Sequence, residues 1–278
     1  MEFLNVVGKG SFGIRFGRLS VLVLSAALYQ SASAADGVYK AVQWPMQART
    51  MIGTPSPWHF GQVAAVATTK DGNILVFHRG AHPIMEFDSE GKFLRSWGDG
   101  MISEGKVTRV ELKDRAPGAS GYTAVYGPPG CYSCGAHSVR VDPEGKLWVV
   151  DAGDHVAYKT NAQGRVILLL GTKGISGTDS THFNLPTDVA FAPNGDIYVS
   201  DGYGSARVVK YSAEGEYLLQ WGRRGTGPGG FGLPHNLVID AQGWVYVTDR
   251  DNQRIQVFDS EGKFLDQWKD VGGSPRSS

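Results

Sequence analysis

Two imidazoles, two guanidiniums and one phenol stand at related places in this chain. His137 and His235 each lie eight residues before a recurring glycine, Gly145 and Gly243. Arg79 and Arg250 each lie seven residues after one, Gly72 and Gly243, and Tyr203 lies eight after Gly195. Imidazole nitrogens ligate metals and move protons near neutral pH. A guanidinium grips a carboxylate through two parallel hydrogen bonds. A phenol hydroxyl can give or take a proton. That chemistry becomes available only if something gathers side chains spread over about 170 residues of sequence.

The repeats around those glycines do so. T-K-D-G-N-I-L-V-F-H (69–78), D-P-E-G-K-L-W-V-V-D (142–151), A-P-N-G-D-I-Y-V-S-D (192–201) and D-A-Q-G-W-V-Y-V-T-D (240–249) share one pattern. About twenty residues on, a second glycine turn follows in each: D-S-E-G-K-F-L-R-S-W (88–97), N-A-Q-G-R-V-I-L-L-L (161–170), S-A-E-G-E-Y-L-L-Q-W (212–221) and D-S-E-G-K-F-L-D-Q-W (259–268). Each unit reads strand, glycine turn, strand, loop, strand, glycine turn, strand. Apolar and β-branched residues between turn signals mark half-buried antiparallel strands. Four strands per unit at a period of roughly 40–50 residues predict an all-β fold, a β-propeller. The start of each first strand and the end of each second strand then share one rim. His137, His235, Arg79, Arg250 and Tyr203 are expected at one mouth of the channel.

Lys9, Arg15 and Arg18 flank an apolar stretch from Leu19 to Tyr29, and Ala32-Ser33-Ala34 offers small residues for cleavage. Residues 1–34 therefore read as a signal peptide whose apolar run is too short to span a bilayer. A secreted or periplasmic protein is expected, with no stable membrane insertion after cleavage. The propeller then occupies 35–270, with a long inter-blade insertion at 99–130 and a polar tail at 271–278. Formal charge is 0 for the whole chain and about −2 without the leader. No basic stripe is present, which argues against nucleic acid as a partner.

Cys131 and Cys134 are the two cysteines. Export favours a local disulfide between them. Their C-x-x-C-x-x-H spacing to His137 leaves metal ligation by two thiolates as the alternative. Gly135 follows Cys134 where a haem-attachment motif needs histidine.

Several segments carry a more specific resemblance: L-V-F-H-R-G (75–80), A-H-S-V-R-V-D (136–142), F-N-L-P-T-D-V-A (183–190), S-D-G-Y-G-S-A-R (200–207), L-P-H (233–235) and D-R-D-N-Q-R-I (249–255). They resemble NHL repeats and, more narrowly, the lyase domain of peptidyl-α-hydroxyglycine α-amidating lyase, a six-bladed propeller. The similarity covers about residues 36–270. It implies zinc-dependent cleavage of a C-terminal α-hydroxyglycine to a peptide amide and glyoxylate. His137 and His235 match zinc ligands, and Tyr203 matches the base on the substrate hydroxyl. Arg79 and Arg250 match the arginines that handle the carboxylate and developing charge. A structural calcium is implied too, held partly by the backbone carbonyls of Val66 and Val139. The partner at the mouth would be a small peptide or a hydroxy-acid-like ligand.

The match departs from the family at one point. A third zinc histidine, and the acidic calcium ligand after it, belong to a later blade than those seen here. About four blades are visible, so an incomplete or open ring is expected, with self-association through open blade edges and lyase activity in question. The alternative is a non-catalytic propeller that binds a peptide or protein at the same mouth. Propellers serve both roles. The Arg79, Arg250 and Tyr203 cluster favours the lyase, and the two-histidine set favours the alternative. His78 and His82 flank the F-H-R-G turn within reach of the mouth. His59, His155 and His182 read as surface or packing residues, and Trp97, Trp221 and Trp268 as packing.

Overall fold

The repeated turns close through their own side chains. Asp142 Oδ1 accepts the backbone N–H of Glu144 at 3.0 Å and of Lys146 at 2.8 Å. Asp240 does the same for Gln242 and Trp244, both at 2.9 Å. Such a side chain mimics a backbone turn. The glycine three residues later takes positive φ, 82° at both Gly145 and Gly243. An L-residue there would be strained. The local sequence therefore reverses the strand at that spot.

The structure is a computed structural model that describes residues 60–103 and 135–269. These lie within one compact unit, 43–278. The first sheet holds β1 (Val63–Thr68), β2 (Ile74–His78), β3 (Ile84–Phe87) and β4 (Phe93–Trp97). The second holds β5 (Ala136–Val141), β6 (Leu147–Asp151), β7 (Val156–Thr160) and β8 (Val166–Leu170). The third holds β9 (Asp188–Phe191), β10 (Ile197–Asp201), β11 (Arg207–Tyr211) and β12 (Tyr217–Trp221). A short parallel pair, β13 (Arg223–Arg224) and β14 (Gly230–Phe231), lies in the next connection. The fourth sheet holds β15 (Pro234–Ile239), β16 (Val245–Asp249), β17 (Arg254–Phe258) and β18 (Phe264–Lys269).

All four sheets are antiparallel meanders in sequence order. The first strands are neighbours in turn, β1 beside β5, β5 beside β9 and β9 beside β15. This is the propeller arrangement, with the first strand of each blade innermost.

Successive sheets pack face to face through apolar clusters. Phe77 and Ile84 meet Val139 and Val149 between the first and second sheets. Trp148 and Val150 meet Val189 and Val199 between the second and third. Tyr198 and Val208 meet Leu237 and Phe258 between the third and fourth. The second-turn glycines are part of this packing. A Cβ on Gly164 would lie 2.7 Å from the Trp97 ring, and one on Gly262 would lie 2.6 Å from the Trp221 ring. The outer-strand tryptophan of one blade thus rests on the bare turn of the next.

Among the described residues, no helix is long and apolar enough to cross a membrane. The leader at 1–34, most of the insertion at 99–130, Cys131, Cys134 and the tail at 271–278 lie outside the described residues.

Candidate functional site

A repeated backbone irregularity aims the two histidines. The β5–β6 register shifts between Ala136 and Ser138, and the β15–β16 register shifts between Pro234 and Asn236. His137 and His235 are the extra residues. A bulge leaves one residue unpaired and redirects its side chain, and such bulges recur beside active sites. The shift in β1–β2 falls between Val63 and Ala65, so Ala64 holds the equivalent place in the first sheet without a functional side chain.

Tyr203 arrives from the third sheet, on the loop after β10. Its neighbour Gly202 makes that approach possible, because a Cβ there would lie 2.1 Å from the Pro234 carbonyl oxygen. The loop is held further by Tyr203 N–H donating to the Leu185 carbonyl at 3.3 Å. The Tyr203 hydroxyl then sits between the two imidazoles. It lies 3.1 Å from His137 Nε2 and 3.0 Å from His235 Nε2. The two imidazole rings are 4.8 Å apart between centroids.

The arginines border this trio. The Arg250 guanidinium carbon lies 5.6 Å from the centre of the Tyr203 ring, and its Nε reaches Asp251 at 3.3 Å. Arg79 Nε donates to the Ala136 carbonyl, next to His137, at 3.4 Å, and its Nη1 donates to Gln62 at 3.0 Å. Side chains from all four sheets therefore meet at one rim. His235 is buried, while His137, Tyr203, Arg79 and Arg250 are half-buried.

Both histidines are held neutral. Burial is the main cause of the lowered His137 pKa, and the nearby His235 and Arg79 add to it against the pull of Asp188. Burial also lowers that of His235, helped by Arg250 and opposed by the Asn236 hydrogen bond and by Asp188. Neutral imidazole is the form that ligates metals.

Behind the histidines lies a buried carboxylate, Asp188, at the start of β9. Burial alone would raise its pKa, but Arg140 and the hydrogen bonds around it hold it below the ordinary value. Arg140 engages it through Nε at 3.0 Å and Nη2 at 2.5 Å. Ser138 donates to it as well. Asn236 Nδ2 reaches its second oxygen at 3.3 Å, and the Leu237 N–H does so at 3.2 Å. Asn236 Oδ1 in turn lies 2.9 Å from His235 Nδ1.

The convergent pair fits two positions of a zinc set. Two neutral imidazoles present Nε2 to one point, and His235 is backed by an amide and a carboxylate as metal-bound histidines commonly are. Among the described residues, no group of three His, Cys, Asp or Glu side chains stands ready to hold a metal. The pair thus supplies part of a ligand set. Val66 and Val139 hold matching places on the innermost strands β1 and β5, opposite Val76 and Val149.

Asp188 and Asn236 escaped the sequence reading. Asp188 lies in the quoted F-N-L-P-T-D-V-A segment, but nothing local says which sheet its carboxylate serves. His78 and His82 do not join the trio. His78 is fully buried, and its Nδ1 accepts the N–H groups of Gly61 at 3.0 Å and Gly80 at 3.1 Å. His82 pairs with exposed Asp99 at 2.6 Å. His155 accepts the Leu185 N–H at 3.0 Å and His182 pairs with Asp179.

The NHL repeat family matches residues 183–211 and 231–258, the third and fourth sheets. A probable peptidyl-alpha-hydroxyglycine alpha-amidating lyase of Caenorhabditis elegans is 31% identical over 263 residues, covering 88% of this chain and 72% of that protein. The peptidyl-glycine alpha-amidating monooxygenase of Mus musculus is 34% identical over 213 residues, 73% of this chain. The match covers 21% of the monooxygenase, so this chain spans only a part of that protein's length. Among solved structures, a streptogramin B lyase superposes with a TM-score of 0.51 at 15% identity, over 80% of this chain and 58% of that one. That likeness is one of fold.

Proposed function

Because the chain belongs to the peptidyl-α-hydroxyglycine α-amidating lyase family of NHL-repeat β-propellers, we propose that it cleaves a C-terminal α-hydroxyglycine at the rim described above. The products are a peptide amide and glyoxylate. The observation that carries this reading is the Tyr203 hydroxyl held between His137 and His235 beneath the Arg250 guanidinium.

Each residue has work suited to its chemistry. Tyr203 Oη, in its ionised form, takes the proton of the substrate hydroxyl. The electron pair left on that oxygen forms the carbonyl of glyoxylate. The C–N bond breaks, and the amide nitrogen takes up the proton that Tyr203 Oη received. The positive charge of Arg250 near the Tyr203 ring favours the ionised phenol that begins the step. Arg79 and Arg250 are matched to the substrate carboxylate, which fixes the hydroxyl against Tyr203. Zinc, held by His137 and His235, would lower the pKa of the bound hydroxyl and polarise it. A calcium at the Val66 and Val139 carbonyls, and export from the cytoplasm, complete the proposal.

The test is glyoxylate release from α-hydroxyhippurate by the full 278-residue chain supplied with zinc. Release that falls with Tyr203→Phe supports the reading. A folded, zinc-supplied protein that releases none overturns it.

A further inference from the structure

His137 Nε2 and His235 Nε2 both lie within hydrogen-bond distance of the Tyr203 hydroxyl. Which nitrogen of a neutral imidazole carries the proton is set by what the other nitrogen meets. For His235 that choice is made on the far side of the ring.

Asn236 makes it. An ionised carboxylate only accepts, and Asp188 is held ionised by the two-pronged Arg140 contact. The end of the Asn236 amide that faces Asp188, at 3.3 Å, is therefore its NH₂ group. The end that faces His235 Nδ1, at 2.9 Å, is its carbonyl. A carbonyl also only accepts, so His235 Nδ1 bears the hydrogen and Nε2 bears the lone pair. The lone pair of His235 Nε2 then faces the Tyr203 hydroxyl, which can donate to it.

The chain that results runs from Arg140 and Asp188 through Asn236 to His235, Tyr203 and His137. It links β5, β9, β15 and the loop after β10. Its anchor is rigid, because Asp188 also takes the N–H of Leu237 and of Val189 at 3.2 and 2.9 Å. The Asn236 backbone is pinned independently by Thr248 Oγ1 at 2.9 Å.

We infer that Asn236, anchored by Asp188, is a positioning residue that locks His235 in its Nδ1–H tautomer and so presents the Nε2 lone pair at the mouth. His235 is thereby ready to ligate. The part of this inference that concerns zinc rests on the lyase reading, and the tautomer assignment does not.

The experiment uses the metal-stripped full chain labelled with ¹⁵N-histidine. Two-bond nitrogen–carbon-proton correlations report which ring nitrogen carries the proton. His235 is expected as the Nδ1–H form. In Asn236→Ala, His235 is expected to lose that single form, while Asn236→Gln or Asn236→Ser restores it in part. Finding His235 in the Nε2–H form in the unaltered protein overturns the inference, as does an Asn236→Ala protein whose His235 tautomer is unchanged. Titration with zinc alone is the second readout, with affinity expected to fall roughly 10- to 100-fold in Asn236→Ala. Equal affinity in both proteins overturns the positioning role. If neither protein binds zinc, the lyase reading fails and the nitrogen spectra alone decide the tautomer.

Discussion

Tyr203 Oη lies 3.1 Å from His137 Nε2, although 66 residues separate them and they belong to different sheets. The contact exists because Gly202 lets one loop press against the Pro234 carbonyl while a bulge turns His137 out of the β5 ladder. Two local backbone features, in different blades, place one hydroxyl against one imidazole.

Replacing Tyr203 with Phe keeps the ring beneath Arg250 and removes only the hydroxyl. Loss of a positioned proton acceptor costs about 10²- to 10⁴-fold. The kcat for glyoxylate release is expected to fall by that order, with Tm nearly unchanged. Steady-state kinetics and a thermal melt on the same preparation check both halves.

The role of Arg250 can be read from the choice of substrate. Arg250→Lys is expected to raise KM for an α-hydroxy acid substrate, since an ammonium cannot grip a carboxylate through two parallel bonds. The same substitution is expected to matter much less with the carboxamide analogue of that substrate. Equal effects on both compounds would place Arg250 away from the carboxylate.

Gly262 and Gly243 offer a matched pair for stability. Both take positive φ, 77° and 82°. A Cβ on Gly243 meets nothing within 4 Å, whereas one on Gly262 lies 2.6 Å from the Trp221 ring. Gly243→Ala is expected to cost about 1–2 kcal/mol from the backbone alone. Gly262→Ala is expected to cost more by about 1–3 kcal/mol, since overpacking displaces the ring. Denaturant unfolding of the two variants measures the difference.

His78 couples stability to acid. It is fully buried and its pKa is pushed down from 6.5 to about 4, chiefly by burial. Between those values the unfolded chain binds the proton and the folded one does not, so stability rises with pH across that window. The contribution is complete above pH 6.5, declines as pH falls, and is lost below about 4. Its size is on the order of 3 kcal/mol. His78→Asn keeps an acceptor for the Gly61 and Gly80 N–H groups, and is expected to flatten this part of the stability–pH curve.

Arg254 ties the fourth sheet to the connection before it. Its Nε meets Asp249 at 2.9 Å, and its other nitrogens reach the carbonyls of Thr226, Gly227 and Gly230. Arg254→Met leaves Asp249 buried without its charge partner. A loss of about 3–5 kcal/mol is expected, read from the urea midpoint against Arg165→Met, whose side chain is exposed.

The strand order and the turns were legible without coordinates, because each depends on residues four or five positions apart. A glycine three residues after Asp, Asn, Ser, Thr or Ala marks each reversal here, and alternation marks a strand. Repetition of the pattern implied sheets arranged around an axis, which in turn predicted a shared rim for His137, His235, Tyr203, Arg79 and Arg250. Packing decided what repetition alone could not. The bulges at His137 and His235, the seat of Trp221 on Gly262, and the line from Asp188 through Asn236 to His235 each join residues in separate parts of the chain. A buried polar group takes its partner from whichever sheet lies against it, and a sequence motif does not state that neighbour. The amino-acid order therefore determined the blades and their common mouth, whereas the tertiary structure decided the orientation of each imidazole and the carboxylate behind it.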